Sequence, residues 1–379
     1  MASDQFEILV TGSASLTLLF VVSLTLHRKL YLDRPDASAL TQFYLALALG
    51  GAIGGAFVTL IAPLLFDWTY EFPLLAIAAV WLVKPSKLIL LCVTACMIGL
   101  VGIDPLTMSW NGLRQRSYFG IYTIRENETG TIRTLGHGNT LHGTQHLETD
   151  KLIDPTTYYG KHSGAGQILE ATKSNARIGV MGMGVGTLAC YAQPHQQWAF
   201  YEIDPLVVDI ATKQGWFTFM PNCTPTAAIH IGDARLTLAK LPSGSLDILV
   251  MDVFSSDTIP THLLTREAFD IYDSALAPNG VMLVHISNRY LDLEPVLQAE
   301  ANARGWVASL NKHDPTDDEF AAGETTSVWV LIARSNDELP YTLPPNAQSA
   351  WRPLTLKPNM ARWTDDHSSV LGLLRPISH

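Results

Sequence analysis

The sequence has few cysteines, and their positions carry no structural signature. The four cysteines in 379 residues show neither metal-ligand nor disulfide spacing. Cys190 and Cys223 each stand alone in the more polar part of the chain. We therefore interpret both as small buried hydrophobic residues, and nothing in their pattern argues for an oxidising compartment.

Charged residues are also scarce, at 16% of the chain, and cations are the rarer sign. Lys and Arg total 25 against 35 Asp and Glu, which gives a formal net charge of −10. Phosphate binding needs clustered cations, so this balance argues against nucleic acid as a partner. An acidic surface suits a small cationic partner better.

Long runs without charge lie in the first hundred residues. Ile8–Leu26 and Ala39–Phe66 carry no charge, and each is long enough to cross about 30 Å of hydrocarbon as a helix. Two shorter apolar runs follow at 72–83 and 88–103. We therefore predict a transmembrane region over residues 1–108, with three to four apolar segments in contact with membrane lipid.

The rest of the chain alternates short strands and helices. Segments 118–125 and 131–135, joined by a polar turn, predict a β-hairpin, and the glycines of 137–147 predict tight turns. A helix is expected at 164–172, and from Arg177 the element lengths are those of a parallel sheet wrapped by helices. The expected strands are 177–181, 197–202, 228–231, 246–252 and 280–286, then an antiparallel pair at 306–310 and 327–333.

This pattern predicts two further domains after the membrane region. A small β-domain is expected over residues 109–163, and an α/β domain over 164–379. The proline-containing segment 339–358 is expected to be a surface strap.

A glycine-rich turn and an acidic residue form the strongest motif. Gly182, Gly184 and Gly186 directly follow the first strand of the α/β domain, where glycine lets backbone approach a ligand closely. Glu202 ends the next strand, twenty residues after Gly182, where a carboxylate can accept hydrogen bonds from ribose hydroxyls. The alternatives are a purely structural turn and a surface charge.

Two further acidic motifs follow later strands. Asp233 and Ala234 follow the third strand, and Asp233 is a candidate partner for an adenine amino group or, alternatively, a helix N-cap. Asp252 and Asp257 share the loop after the fourth strand, where two carboxylates can attract an amine and accept its proton. The alternative for Asp257 is a turn cap.

Two other groups of side chains have simpler interpretations. His137, His142 and His146 match no familiar zinc spacing, so we expect no metal. Asp365 and Asp366 are interpreted as a solvated helix start, with the lining of a polyamine channel as the alternative.

Taken together, these motifs resemble the spermidine synthase (polyamine aminopropyltransferase) family. The resemblance is closest to bacterial membrane proteins that fuse transporter-like helices to a spermidine-synthase-like domain. It is carried by the glycine turn, Tyr201-Glu202-Ile203-Asp204, Gly232-Asp233-Ala234 and the loop ending in Ile259-Pro260, together with Asp33-Arg34-Pro35, residues 40–44, Ala62-Pro63, residues 137–145 and residues 285–291.

The resemblance implies a fold, a ligand and residue roles. The fold would be a small N-terminal β-domain followed by a Rossmann-like, S-adenosylmethionine methyltransferase-type sheet of seven strands, in a chain that forms dimers. Gln145, Glu202 and Asp233 would hold the nucleoside. Asp252 would assist amine deprotonation, Asp257 would anchor the amine, and Tyr159 would close the polyamine channel.

The sequence departs from that family's pattern in two places. The loop from Asp252 to Asp257 has two residues more than the family's Asp-Ser-Ser-Asp-Pro segment. Residues 158–162 replace its Tyr-His-Glu segment.

Three functions are compatible with these features. The leading hypothesis is a membrane-anchored aminopropyltransferase-like enzyme of polyamine biosynthesis, which uses decarboxylated S-adenosylmethionine and an amine and releases methylthioadenosine. The second is an enzyme acting on intact S-adenosylmethionine, with Lys161, Arg235 or Arg289 near the ligand carboxylate. The third is a noncatalytic membrane subunit that docks a partner in a larger complex.

The expected location is a multi-pass membrane protein with its soluble part on the cytoplasmic side. The basic loops at 27–34 and 84–87 would favour the opposite side if all four apolar segments cross the membrane. We give more weight to the cytosolic supply of S-adenosylmethionine, because the run at 72–83 is short for a full span.

Overall fold

A computed structural model describes residues 2–83, 91, 94–95, 103–138, 140–253, 260–337, 340–343, 347, 350–355 and 360–375. The chain divides into two compact units, Met1–Ile121 and Tyr122–His379. The predicted turn at 84–87, most of the apolar run at 88–103, and Asp257 lie outside the described residues. The division of the chain into three domains stays a prediction.

The first unit consists mainly of helices. They are α1 (Ala2–Leu32), α2 (Leu40–Ala56), α3 (Ala62–Leu65), α4 (Glu71–Val83) and α5 (Ile103–Trp110), followed by the short strand β1 (Arg114–Arg116). Leucine, alanine and glycine dominate α2, which has no charged residue. Most of its large apolar side chains are exposed in the described part of the chain.

One helical segment has the dimensions of a membrane span. Among the described residues, only Ala37–Leu65 is long and apolar enough to cross a bilayer, and 6% of its most apolar stretch is buried. The multi-pass arrangement expected from the sequence is therefore not supported by the described part of the chain. The predicted run at 8–26 lies within α1.

A buried ion pair organises the polar end of the first unit. Arg116 forms two hydrogen bonds with the carboxylate of Glu71, at 2.8 and 3.0 Å, and a third with the carbonyl oxygen of Trp68. Burial raises the pKa of Glu71, but the hydrogen bonds and charge of Arg116 and a backbone hydrogen bond together outweigh it and lower the pKa overall. Arg114 lies over the Trp68 ring, 4.3 Å from its centre.

The second unit begins with an antiparallel sheet. Its strands are β2 (Ile121–Glu126), β3 (Ile132–His137) and β4 (Thr140–His146). The β2–β3 pair confirms the predicted hairpin. The predicted tight turn is present at Gly138, whose φ is 58°, and Thr140 to His146 add a strand that pairs with β3 across a bulge at Leu135 and Gly136.

A large mixed sheet forms the centre of the second unit. Its strands are β5 (Arg177–Met181), β6 (Gln197–Glu202), β7 (Ala228–Ile231), β8 (Leu246–Met251), β9 (Leu276–His285), β10 (Val307–His313), β11 (Ser327–Ala333) and β12 (Trp351–Pro353). The spatial order is β12-β10-β11-β9-β8-β5-β6-β7. Strands β5 to β9 are parallel neighbours, whereas β9, β11, β10 and β12 pair antiparallel.

This sheet confirms the predicted α/β class and corrects one detail. All seven predicted strands are present, including the antiparallel pair, but in the described residues the sheet has eight strands rather than seven. The additional strand is β12, which pairs with β10 at the edge. It lies in segment 339–358, which the sequence predicts to be a surface strap. The sequence does not predict the strand, because three residues without a clear alternating pattern give no strand signal.

Short helices connect and cover the strands. They are α6 (Gly164–Glu170), α7 (Pro205–Thr212), α8 (Phe219–Cys223), α9 (Ala234–Leu238), α10 (Arg266–Ala275), α11 (Glu294–Arg304) and α12 (Asp317–Ala321). Side-chain caps fix where several begin: Ser163, Asp204 and Thr265 each accept a backbone N–H of the first turn. The core between sheet and helices is aromatic and aliphatic, with Phe200 and Tyr272 fully buried.

The interpretation of Cys190 and Cys223 as separate buried residues is wrong. They form a disulfide, with their Cα atoms 4.8 Å apart. Cys190 lies in the 3-10 helix Thr187–Tyr191, and Cys223 ends α8. Two cysteines 33 residues apart show no local spacing, so only the fold brings them together.

Candidate active site

The glycine-rich turn lies at the carboxyl end of β5, between two other strand ends. Gly182 N–H donates to Tyr201 of β6, and Asp252 N–H, after β8, donates to Met181 of β5, both at 2.9 Å. All three strands are parallel, so they end at the same edge of the sheet. This edge is where ligands bind in open α/β sheets.

Each glycine of the turn has a left-handed backbone and a close neighbour. The φ angles of Gly182, Gly184 and Gly186 are 84°, 52° and 85°. A Cβ atom on Gly182 would overlap the carbonyl oxygen of Asp252, and one on Gly184 would lie 2.6 Å from that of His142. The chain after Gly186 forms the 3-10 helix Thr187–Tyr191.

Glu202 holds the turn in place through its carboxylate. One oxygen accepts the N–H of Met183 at 2.9 Å, and the other accepts the N–H of Asp204 at 3.0 Å. The side chain is almost fully buried, and burial raises its pKa against the lowering effect of these hydrogen bonds. A carboxylate oxygen has two lone pairs, so each oxygen can still accept a second donor.

Asp233 has the geometry of a helix N-cap, the alternative to an adenine contact. Its carboxylate accepts the N–H of Leu236 at 2.9 Å and so caps α9, and its other oxygen lies 3.5 Å from His262. Ala234 is the first residue of α9. Gly232 N–H donates to the carbonyl of Glu202, which fixes the end of β7 beside that of β6.

Asp252 lies in a dense group of side chains. One carboxylate oxygen is 2.8 Å from Nδ1 of His285, and the other accepts a short hydrogen bond from the hydroxyl of Tyr159. Burial raises the pKa of Asp252, but His285 and Tyr159 reverse the shift and lower it. The structure thus brings together two of the three residues predicted to act in catalysis.

The aromatic residues around Asp252 exclude bulk water. The ring of His285 is stacked between Tyr158 and Trp329, with centres 4.4 and 4.6 Å away. Burial and the Asp252 charge raise the pKa of Tyr159 well above its ordinary value. Tyr159 is therefore a hydrogen-bond donor at neutral pH.

Gln145 is buried, and its amide contacts protein groups. Its nitrogen donates to the carbonyl of Leu152 at 2.8 Å and to the hydroxyl of Thr218 at 2.9 Å. Its oxygen accepts the N–H of Thr218. The structure thus shows Gln145 joining β4 to the start of α8, and its nucleoside-binding role stays a prediction.

The C-terminal tail reaches the start of α9. Asp365 forms two hydrogen bonds of 2.7 Å with Arg235, and a third of 2.8 Å with Thr265. The Arg235 hydrogen bonds lower the pKa of Asp365 to about 2. Asp365 is thus an ion-pair partner in a turn rather than at the start of a helix, and the lining of a polyamine channel stays a prediction.

His285, Ser287 and Tyr158 belong to this site but had no role in the sequence interpretation. His285 ends β9, at the same sheet edge as Glu202 and Asp252, and Ser287 follows two residues later. The signal that would have found them is this position, because polar residues at the carboxyl ends of parallel strands meet one another.

Comparison with known proteins places these features in context. No family model matches the chain. It is 32% identical over 114 residues to a polyamine aminopropyltransferase of Vibrio vulnificus, covering 29% of this chain and 37% of the relative. It is 28% identical over 213 residues to a spermidine synthase of Coffea arabica, covering 53% and 65%. The resemblance to spermidine synthases is confirmed. The chain spans less than two thirds of the length of either relative.

Solved structures give a similar set of proteins. A spermidine synthase from Thermotoga maritima aligns with a TM-score of 0.44 at 14% identity, covering 64% of this chain and 79% of that one. A probable spermidine synthase from Corynebacterium glutamicum aligns with the same TM-score at 18% identity, covering 58% and 79%.

Proposed function

We propose that the chain is an aminopropyltransferase-like enzyme. It takes decarboxylated S-adenosylmethionine and an amine as substrates and releases methylthioadenosine. The amine nitrogen attacks the carbon beside the sulfonium, the carbon–sulfur bond breaks, and its electron pair stays on sulfur. The new ammonium group then loses a proton to a base.

One observation carries this proposal. Two largely buried carboxylates lie at the ends of the strands that flank β5: Glu202 is the last residue of β6, and Asp252 follows β8. The glycine turn follows β5, between these two strands. Glu202 is suited to accept hydrogen bonds from sugar hydroxyls, and it lies at the edge where nucleosides bind in open α/β sheets. Asp252 places a negative charge where a cationic group of a second ligand would lie.

The roles of individual residues follow from their surroundings. Asp252 is ionised at neutral pH, because its pKa is lowered, so it attracts the amine and the sulfonium. Tyr159 donates a hydrogen bond to Asp252 from the segment before α6, and closing the polyamine channel is its role in the proposal. Asp257, as a second amine anchor, and Asp233 and Ala234, on the adenine side, are part of the proposal. Binding in the right geometry supplies most of the rate gain.

The relatives' names support the choice of substrates. The curated relatives are named polyamine aminopropyltransferase, spermidine synthase and spermine synthase. For intact S-adenosylmethionine, a free cation is needed near the amino acid carboxylate. Arg235, one of the three candidates, is already paired with Asp365, which weakens that alternative.

The test is a product assay on the full chain in detergent. Purified protein is incubated with decarboxylated S-adenosylmethionine and a series of diamines and polyamines, and methylthioadenosine is quantified by chromatography. We expect methylthioadenosine with at least one amine, and its loss in Asp252→Asn. Product from intact S-adenosylmethionine alone would instead support the second hypothesis. Absence of product with every amine, together with copurification of a stable partner, would support the noncatalytic subunit.

We propose in addition that residues Ala37–Leu65 anchor the enzyme in a membrane. Their length and apolar character support one span. Further spans, which would make the protein multi-pass, are part of the same proposal. So is the location of the active site on the cytoplasmic side. Labelling of single introduced cysteines from either side of sealed vesicles would test both points.

A further inference from the structure

His285 connects Asp252 to a serine through a chain of hydrogen bonds. Nδ1 of His285 lies 2.8 Å from Asp252, and Nε2 lies 2.7 Å from the hydroxyl oxygen of Ser287. The same hydroxyl oxygen accepts the backbone N–H of Val328 at 2.8 Å. The imidazole and the Asp252 carboxylate are 94% and 90% buried.

The direction of these hydrogen bonds is set at two groups: the Val328 amide, which can only donate, and the ionised Asp252 carboxylate, which can only accept. Because Val328 donates to Ser287, the serine oxygen already accepts one hydrogen bond, and its own hydrogen is available to Nε2 of His285. The hydroxyl has this hydrogen to donate and also a second lone pair, so it suits either state of Nε2, whereas the Asp252 carboxylate needs a donor from Nδ1. In the neutral imidazole the proton is therefore on Nδ1, and Nε2 accepts from Ser287. Nδ1–H in turn donates to Asp252.

The opposite tautomer is disfavoured by charge. With the proton on Nε2, the lone pair of Nδ1 would face an ionised oxygen of Asp252 at 2.8 Å. Two lone pairs at that distance in a buried site repel strongly. The series of hydrogen bonds from Val328 through Ser287 and His285 to Asp252 therefore has one favoured arrangement of its protons.

We propose that His285 and Ser287 are positioning residues, which hold the Asp252 carboxylate ionised and fixed in orientation toward the bound amine. This rests on the proposed function for the identity of the ligand, but the hydrogen-bond chain itself does not depend on it. His285 and Tyr159 each form a hydrogen bond with one carboxylate oxygen of Asp252, and these two bonds fix the orientation of the carboxylate. A fixed charge is a stronger electrostatic partner than a mobile one, because no reorganisation is needed on binding.

Other titratable groups also face Asp252 and have to be considered in any pH measurement. Tyr158 and Tyr159 approach from the segment before α6, and His142 approaches from β4. Burial lowers the pKa of His142 to about 4, so it is neutral above that pH. Tyr158 and Tyr159 stay protonated over the whole range of a practical assay.

The first test reads the tautomer directly and needs no ligand. The full chain, with its 12 histidines labelled with nitrogen-15, is studied in detergent, and His285 is assigned by its loss in His285→Asn. At neutral pH we expect a protonated Nδ1 and an unprotonated Nε2. A protonated Nε2 with a bare Nδ1 would overturn the proposal, whatever the protein's activity.

The second test asks whether the hydrogen-bond chain through His285 and Ser287 influences the ionisation of Asp252 during the reaction. The acid limb of kcat/KM is measured with the amine that supports methylthioadenosine release. In His285→Leu we expect this limb to move up by about one pH unit, because Asp252 loses a donor that favours its ionised form. His285→Asn keeps an N–H near the position of Nδ1 and should restore most of the shift. Ser287→Ala should give a smaller shift than His285→Leu, and Ser287→Thr should restore it.

A matched control is available in an exposed histidine. His195 lies in the turn before β6 with a φ of 74°, a conformation that asparagine accepts well. His195→Asn should leave the acid limb unchanged. If His285→Leu lowers activity at every pH without moving the limb, the role of His285 is only structural and the proposal fails. If the wild-type protein has no activity at all, the proposed function fails, and the tautomer measurement still decides the hydrogen-bond chain.

Discussion

Glu202 and Asp252 occupy matching places in the sheet but are held in different ways. Each follows directly on a residue that lies opposite Met181, one on either side of β5. Among the described residues, Glu202 is held by backbone N–H groups, including those of Met183 and Asp204. Asp252 is held by side chains, from His285 and Tyr159.

The difference in partners gives the two carboxylates opposite electrostatic behaviour. Burial is the largest influence on both, and it prevails at Glu202, whose pKa is raised. At Asp252 the imidazole and the phenol outweigh it, and the pKa is lowered. Neighbouring acids whose pKa values are pushed apart are typical of sites that divide binding and charge between two groups.

The largest expected effect comes from Gly182→Ala, because this residue separates the two carboxylates. Its φ is 84°, and an added Cβ would overlap the carbonyl oxygen of Asp252. The backbone must shift at both strand ends, so we expect a loss of at least about 3 kcal/mol in the free energy of unfolding. Urea titration of the full chain, followed by tryptophan fluorescence, measures it.

Gly215→Ala is the matched control for this substitution. Gly215 has a φ of 74° but no atom within 4 Å of an added Cβ. Its replacement should cost about 1 kcal/mol, from backbone strain alone. Equal losses for the two variants would show that the crowding between Gly182 and Asp252 has no energetic weight.

A smaller effect is expected for Asp252→Asn. The amide can still accept one hydrogen bond, but its NH2 group opposes either Nδ1–H of His285 or the Tyr159 hydroxyl, so we expect a loss of about 2 kcal/mol at neutral pH. The folded pKa of Asp252 is below its ordinary value of 3.8, so its stabilisation is present above that pH and is lost as the pH falls through the folded value. The difference between wild type and variant should therefore shrink in acid. A difference that stays constant on acidification would contradict the charge-based account.

The part of the site around Glu202, which backbone N–H groups hold, could be predicted from the sequence. The part around Asp252, which side chains hold, could be predicted only in part. The glycine turn and Glu202 are close in the chain and follow adjacent strands, so their meeting follows from the βαβ pattern. Asp252, Tyr159 and His285 come from segments more than thirty residues apart. Local patterns do not report which of many polar residues meet across such separations.

The same limit explains the other corrections to the sequence interpretation. The Cys190–Cys223 disulfide and the edge strand β12 both depend on contacts that are distant in sequence. The seven other strands of the sheet were predictable, because each is a hydrophobic run of ordinary length bounded by turn residues. Apolar composition likewise identified Ala37–Leu65, but it did not determine how many segments cross a membrane.

The smallest effect, and the sharpest contrast with Asp252, is expected for Glu202→Gln. Removing the charge relieves its burial cost, but the amide NH2 cannot accept the N–H of Met183 or Asp204, so the net loss at neutral pH should be about 1 kcal/mol or less. The folded pKa of Glu202 is raised above its ordinary value of 4.5. Its contribution to stability is therefore complete below that pH and declines as the pH rises through the folded value. Urea titrations at several pH values should show the wild type's advantage over Glu202→Gln narrowing toward neutral pH, whereas its advantage over Asp252→Asn widens. If the stability difference between wild type and variant changed with pH in the same direction for both variants, the two carboxylates would not be electrostatically distinct. Backbone N–H groups at Glu202 and side-chain donors at Asp252 would then have the same effect on a buried charge.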